Sequence, residues 1–156
     1  MTLSVTLSKD RKILGTIESR SDAGRIGGPW ECYGKSDNAK AAAQGNPTRN
    51  PLKKFGDTPT GTYSLTLAVQ PQADTRTFGT HPVIMMEAKS GQCVDAALKG
   101  GRAGIWLHGG HLNGAGKLRP TYGCLRVHNS TMLEIIALAK QFGPISEMIV
   151  KENTNV

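Results

Sequence analysis

Alternating hydrophobic and polar positions predict a chain built mainly from β-strands. Leu3, Val5 and Leu7 alternate with polar residues, and residues 13–17 read as a returning strand, so a β-hairpin is predicted to open the chain. Some of the later segments alternate in the same way, and others are continuous apolar runs typical of strands buried on both faces. These further strands are predicted at residues 62–69, 83–86, 104–108 and 148–150.

The rest of the pattern predicts one long irregular stretch and one principal helix. Between residues 19 and 55 the alternation is lost among Gly, Ser, Asn, Asp, Pro and Lys, with a short helix predicted at 39–44. Near the C-terminus, Thr131 and Glu134 form a T-x-x-E capping box, and Gly143 followed by proline ends the helix. Since 156 residues is an ordinary size for one domain, we expect a single mainly β domain over residues 1–156.

The chain is basic, which bears on its partners. It has 19 Lys and Arg against 12 Asp and Glu, a formal net charge of +7. Such a charge attracts nucleic acid, anionic lipid or an anionic cell-wall polymer. The basic residues are scattered and lack interleaved aromatics, which favours a solvated surface over a nucleic-acid site. A non-catalytic basic module that binds an anionic wall polymer or nucleic acid is therefore kept as an alternative.

The cysteines leave several arrangements open. A bridge between Cys32 and Cys93 would leave Cys124 as a free thiol, but three reduced thiols fit equally well, and no CxxC pair is present. A further alternative is a zinc site, because the ligand types and pair spacings of such a site are found in His108, His111, Cys124 and His128.

One pair of residues has the features of nucleophilic catalysis. His108 ends a predicted strand, and Cys124 follows a glycine after an intervening loop. A thiol becomes a strong nucleophile when an imidazole takes its proton, and that imidazole can later return the proton. Backbone amides near the thiol can stabilise an oxyanion, and an arginine two residues on can hold a carboxylate. The predicted oxyanion and substrate-binding residues are Gly109, Thr121, Tyr122, Gly123 and Arg126.

These motifs resemble the catalytic domain of the L,D-transpeptidases. The resemblance rests on H-G-G at 108–110, T-Y-G-C-L-R at 121–126 and T-P-T-G-T-Y at 58–63. It covers most of the chain from Phe55 to Val150, whereas residues 1–54 match only in the opening hairpin. The chain departs from the family at Tyr122, where a histidine is usual, and a tyrosine hydroxyl is a partial replacement for that donor.

The resemblance implies a fold and a reaction. The fold is a β-sandwich-like domain with a small helix and no metal or organic cofactor. Cys124 would attack the carbonyl of the third residue of a peptidoglycan tetrapeptide stem and expel the terminal D-alanine, with His108 as general base and acid. An amine of another stem, a free D-amino acid or water would then resolve the acyl-enzyme, giving L,D-transpeptidase, exchange or L,D-carboxypeptidase activity.

The resemblance also implies a place of action, the periplasm or cell wall. The first eight residues alternate like a strand and lack the apolar run of a signal peptide. We therefore expect either that a presequence was removed or that the protein is secreted by a signal-independent route. The second route would fit an interbacterial toxin with a cognate inhibitor.

Overall fold

The computed structural model describes residues 1–153, and their strands form a closed barrel. The strand order is β1-β2-β3-β7-β6-β5-β4-β8, and a parallel pairing of β8 with β1 closes the sheet. The prediction of a mainly β fold is confirmed, but the sheet closes on itself and does not form two packed sheets. The strands are β1 Thr2–Ser8, β2 Gly15–Ser21, β3 Gly24–Tyr33, β4 Gly61–Pro71, β5 Pro82–Ser90, β6 Ile105–His108, β7 Leu125–Val127 and β8 Glu147–Asn153.

The barrel interior is filled by the apolar residues that alternate along the strands. On β1, Leu3, Val5 and Leu7 are almost fully buried. Val5 lies opposite Ile17 on β2 and Val150 on β8, so the same layer continues around the barrel. Since burying one such side chain stabilises the fold by roughly 1.5–3 kcal/mol, this alternation specifies which face of each strand points inward.

The predicted irregular stretch contains a strand that the sequence pattern conceals. β3 runs from Gly24 to Tyr33 and pairs with β2 through shifts in register, which are typical of β-bulges. A Cβ atom added to Gly27 would lie 2.6 Å from Leu138 and 2.7 Å from the ring of Trp30. This glycine therefore marks a close contact between the strand and a helix, although glycine in sequence usually indicates a loop.

Four helices pack outside the barrel or connect its strands in residues 1–153. They are α1 Asn38–Ala43, α2 Thr75–Phe78, α3 Gln92–Gly100 and α4 Asn129–Phe142. The longest, α4, occupies the predicted position but begins after an N-cap at His128, so Thr131 and Glu134 are not its capping box. Glu134 instead accepts a hydrogen bond of 2.7 Å from the indole N–H of Trp30. None of the helices in this range has the length and apolar character to span a membrane.

The parallel pair β6 and β7 sets the face on which polar side chains collect. Leu107 pairs with Leu125, and both side chains are buried in the core. His108 pairs with Arg126 and, because side chains alternate, both project from the opposite face. Cys124 lies two residues before Arg126, so its side chain emerges on that same outer face.

Candidate active site

A cleft of about 960 Å³ lies over this outer face. Its walls are formed by Asp37, Lys54, Phe55, Asp74, Thr77, Phe78, residues 101–106, His108, residues 119–124 and Arg126. The cleft contains Cys124, His108 and Arg126 together with the predicted substrate residues Thr121, Tyr122 and Gly123. The structure thus brings six of the nine residues of the motifs at 108–110 and 121–126 into one concave site.

The thiol of Cys124 lies at the junction of β6 and β7. Its Sγ accepts a hydrogen bond from the backbone N–H of Trp106 at 3.4 Å and lies 3.5 Å from the carbonyl oxygen of Gly104. Burial raises the pKa of this thiol, while the Trp106 N–H and the charges of Arg102 and Arg126 act to lower it. Burial has the larger effect, so the resting side chain is a neutral thiol at pH 7.

A short turn fixes the backbone on either side of the thiol. The Thr121 hydroxyl donates to the carbonyl of Cys124 at 2.7 Å and accepts the Gly123 N–H at 3.0 Å. Gly123 has a φ of 118°, and an added Cβ would lie 2.2 Å from the Arg102 guanidinium. Thr121 is therefore a residue that holds the turn, and the engaged amide of Gly123 leaves those of Tyr122 and Cys124 as the predicted oxyanion donors.

The side chain of Tyr122 lies at the mouth of the cleft. It is 56% exposed, its ring centroid lies 6.2 Å from that of Phe55, and the Lys40 ammonium lies 5.7 Å above its ring. The rings of Tyr122 and Phe55 form an aromatic rim whose flat faces are suited to contact a bound ligand.

His108 is buried and held in a defined tautomer. Its Nδ1 lies 2.7 Å from the carbonyl oxygen of Gly109, and because a carbonyl only accepts, Nδ1 bears the proton and Nε2 is the basic nitrogen. The ring of Phe78 meets the imidazole edge-on, with centroids 5.1 Å apart. Burial lowers the pKa of His108 to about 4, the Gly109 carbonyl opposes this shift, and the Arg126 charge adds to it. His108 is therefore neutral at pH 7 and able to accept a proton.

The predicted nucleophile and base both line the cleft but are not hydrogen-bonded to each other. In residues 1–153 no hydrogen bond joins His108 to Cys124, since Nδ1 is engaged by Gly109 and the thiol by backbone groups of Gly104 and Trp106.

Arg126 is surrounded by backbone carbonyl oxygens. Its Nε donates to Gly109 at 3.1 Å, Nη2 to Thr77 at 2.7 Å, and Nη1 to Arg119 and Pro120 at 2.9 and 3.0 Å. Four of its five N–H groups are therefore satisfied within the protein. These contacts do not favour the predicted bidentate grip on a substrate carboxylate. They show instead that Arg126 ties α2 and the loop before Thr121 to the carbonyl that orients His108.

Gly109 has a packing role that its place in the motif did not reveal. A Cβ atom added there would lie 2.1 Å from Oδ1 of Asn129, the same oxygen that accepts the Gly110 N–H at 3.0 Å. The absence of a side chain lets the end of β6 pack against the first turn of α4.

Arg102, which no sequence motif predicted, lies against the turn that contains Cys124. This buried guanidinium packs next to Gly123 and lowers the pKa of the Cys124 thiol. No motif surrounds it in sequence, and its role depends on a distant loop. Its hydrogen bonds, of 2.7–3.2 Å, all go to carbonyl oxygens, those of Pro51, Lys53, Gly56 and Asp57.

The alternatives drawn from the cysteines and histidines are not assembled in the structure. Among residues 1–153, no three His, Cys, Asp or Glu side chains come close enough to hold a metal ion, and His111 is exposed. Cys32 and Cys93 are both buried free thiols, so the bridge that the odd cysteine count allowed is not formed. Burial raises the pKa of Cys32 to about 12.

Comparison with known proteins agrees with the fold and the motifs. The L,D-transpeptidase catalytic domain (YkuD) matches residues 30–150, a range that begins earlier than the motifs alone indicated. Bd1075 from Bdellovibrio bacteriovorus has a similar structure, with 14% identity, a TM-score of 0.57, and coverage of 98% of this chain and 48% of that one. The helical cell shape determining protein Pgp2 from Campylobacter jejuni has 22% identity, a TM-score of 0.53, and coverage of 99% and 49%.

The chain spans about half the length of these two solved structures, and at such identities the likeness concerns the fold. No curated protein sequence matches the chain at a significant level.

Proposed function

Because this chain belongs to the L,D-transpeptidase catalytic domain family, we propose that it cleaves peptidoglycan tetrapeptide stems through an acyl-enzyme on Cys124. The family acts on peptidoglycan, so the proposed place of action is the periplasm or cell wall. The observation that carries the proposal is the cleft itself, in which a thiol and a buried neutral imidazole project from the same face of two paired strands.

The electrostatics of the cleft support a thiol nucleophile. The charges of Arg102 and Arg126 both lower the pKa of the Cys124 thiol, and in the described part of the chain neither arginine has a carboxylate partner. An unpaired buried cation is costly, and a negative charge that develops on sulfur or on a substrate oxygen relieves that cost. The site is therefore better suited to the reacting state than to the resting state.

In the first step, the sulfur of Cys124 attacks the carbonyl carbon of the third stem residue while its proton passes to Nε2 of His108. The new C–S bond produces a tetrahedral oxyanion, which the amides of Tyr122 and Cys124 are proposed to stabilise. The intermediate collapses by breaking the C–N bond. His108 gives the same proton to the departing amine, so that D-alanine leaves and a thioester remains.

In the second step, water or an amine attacks the thioester carbonyl. His108 takes the proton of the incoming group, the C–S bond breaks, and the proton returns to sulfur. Water yields a tripeptide stem, a free D-amino acid yields an exchanged stem, and the side-chain amine of a second stem yields a cross-link. All three outcomes use the same thiol and imidazole.

The proposal is tested by digesting purified tetrapeptide muropeptides with the wild type, Cys124→Ala and Cys32→Ala, with products read by mass spectrometry. Wild type and Cys32→Ala are expected to form tripeptide, exchanged or dimeric products, and Cys124→Ala to form none. Circular dichroism checks that all three proteins are folded. Muropeptides left intact by folded wild type, together with salt-sensitive polyanion binding that survives in Cys124→Ala, would favour the non-catalytic module.

A further inference from the structure

Arg119 lines the cleft and has one unused guanidinium edge. Its Nε donates to the carbonyl of His111 at 2.7 Å and its Nη2 to that of Arg76 at 2.9 Å. These bonds use one side of the planar group, and within residues 1–153 Nη1 has no hydrogen-bond partner. The end-on edge formed by Nη1 and the second Nη2 hydrogen is therefore available as a two-pronged donor, a shape that matches a carboxylate.

The charges around Arg119 favour an anion at this edge. Arg126 lies next to it, since Nη1 of Arg126 donates to the Arg119 carbonyl at 2.9 Å, and the Arg119 charge lowers the pKa of Arg126. No ion pair of Arg119 or Arg126 occurs in the described chain. The acidic residue of this wall, Asp74, has its carboxylate directed to the Thr77 N–H at 3.1 Å as the N-cap of α2.

The position of Arg119 relative to His108 identifies which part of a substrate it would meet. Arg119 bonds to the carbonyls of His111 and Arg76, and these two segments are themselves joined by the His111 N–H at 2.8 Å. His111 follows His108 by three residues, and Phe78 of α2 contacts the imidazole. Arg119 is thus anchored on the His108 side of the cleft, where the departing amine must lie in order to receive its proton.

We propose that the end-on edge of Arg119 binds the terminal α-carboxylate of the departing residue, so that the site selects stems that end immediately after the scissile bond. In an α-amino acid the carboxylate is attached to the carbon that bears the amine, so an anchor for one positions the other. Arg126, with its donors engaged by carbonyls, supports this wall and adds charge. This inference rests on the proposed function and names its specificity determinant.

The test compares two synthetic tetrapeptide stems that differ only in the last group, a free carboxylate or a carboxamide. Wild type is expected to cleave the carboxylate substrate with a kcat/KM roughly tenfold or more above that for the amide. Arg119→Gln should lose this preference, because cleavage of the carboxylate substrate slows roughly tenfold more than cleavage of the amide. Arg119→Lys, which retains charge without the fork, should lie between them.

Arg76→Gln is the matched control, because it removes an exposed arginine of α2 whose side chain does not line the cleft; it should keep the wild-type preference. Equal wild-type rates on the two substrates would overturn the inference, as would an Arg119→Gln enzyme that slows on both substrates alike, the sign of a purely structural role. Neither result touches the proposed function, which fails only if wild type cleaves neither substrate or Cys124→Ala cleaves both.

Discussion

Protonation of His108 should destabilise the folded protein as the pH falls. The imidazole is 2% exposed, and burial lowers its pKa from 6.5 to about 4. Between these two values the unfolded chain binds a proton at this residue and the folded chain does not. The free energy of unfolding therefore rises with pH across this window and falls as the solution is acidified through it.

The size of the effect follows from the shift. At about 1.4 kcal/mol for each pKa unit, a change from 6.5 to about 4 amounts to about 3 kcal/mol of stability that is present above pH 6.5 and lost near pH 4. For a domain of this size that is a large part of the total, which is typically about 5–15 kcal/mol.

Urea unfolding at several pH values between 7 and 4 measures this contribution. Carboxylates also titrate in the range, so His108→Gln is compared with wild type, and His111→Gln serves as a control for loss of an exposed histidine. If His108→Gln keeps the fold, the difference in the free energy of unfolding between wild type and this variant should shrink by about 3 kcal/mol from pH 7 to pH 4. If the free energies of unfolding of these two proteins changed with pH in parallel, the assignment of a buried, neutral imidazole would be refuted.

Two further predictions concern Arg102, whose charge acts on the Cys124 thiol, and Gly109, whose carbonyl accepts from His108. Arg102→Met should slow alkylation of Cys124 by iodoacetamide at pH 8 and move its pH dependence upward, because a charge that favours the thiolate is removed. Gly109→Ala should destabilise the fold by roughly 1–3 kcal/mol in urea unfolding, since the new methyl meets Asn129 Oδ1. Its cost should be smaller in an Asn129→Ala background, which removes that oxygen.

These two predictions have separate controls. For the alkylation assay, Arg20→Met removes a half-exposed arginine paired with Glu18 on β2, and its rate should equal that of wild type. An Arg102→Met rate equal to wild type would contradict the proposed influence on the thiol. For Gly109→Ala, an equal loss of stability in the wild-type and Asn129→Ala backgrounds would show that the new methyl clashes with a group other than Asn129.

Local pattern determined much of the architecture. Strands β1 and β2 were predictable because inward and outward residues alternate along their seven positions, and that period needs no knowledge of distant partners. The motifs that carry the family resemblance were readable for a similar reason, because each lies within one short segment, at residues 108–110 and 121–126.

The glycines of β3 were misread because a strand glycine that packs against a helix looks in sequence like a loop glycine. Gly27 packs against Trp30 and also against Leu138, which is more than a hundred residues away in sequence. Closure of the sheet into a barrel likewise depends on the parallel pairing of β1 with β8, the first and last strands. A pairing of this kind depends on which strand edges the folded chain brings together, and the local sequence of either strand does not show it.

The functions of the arginines were also decided by the tertiary structure. Arg126 has the residue type and spacing of a substrate ligand, yet carbonyls from three separate segments surround it, while Arg119 in the preceding loop lines the cleft and keeps a free edge. Arg102 belongs to no motif, yet it packs against the turn that contains Cys124. A guanidinium is always charged and always a donor, so its role depends on the acceptors that folding places around it, and these are up to about fifty residues away in sequence.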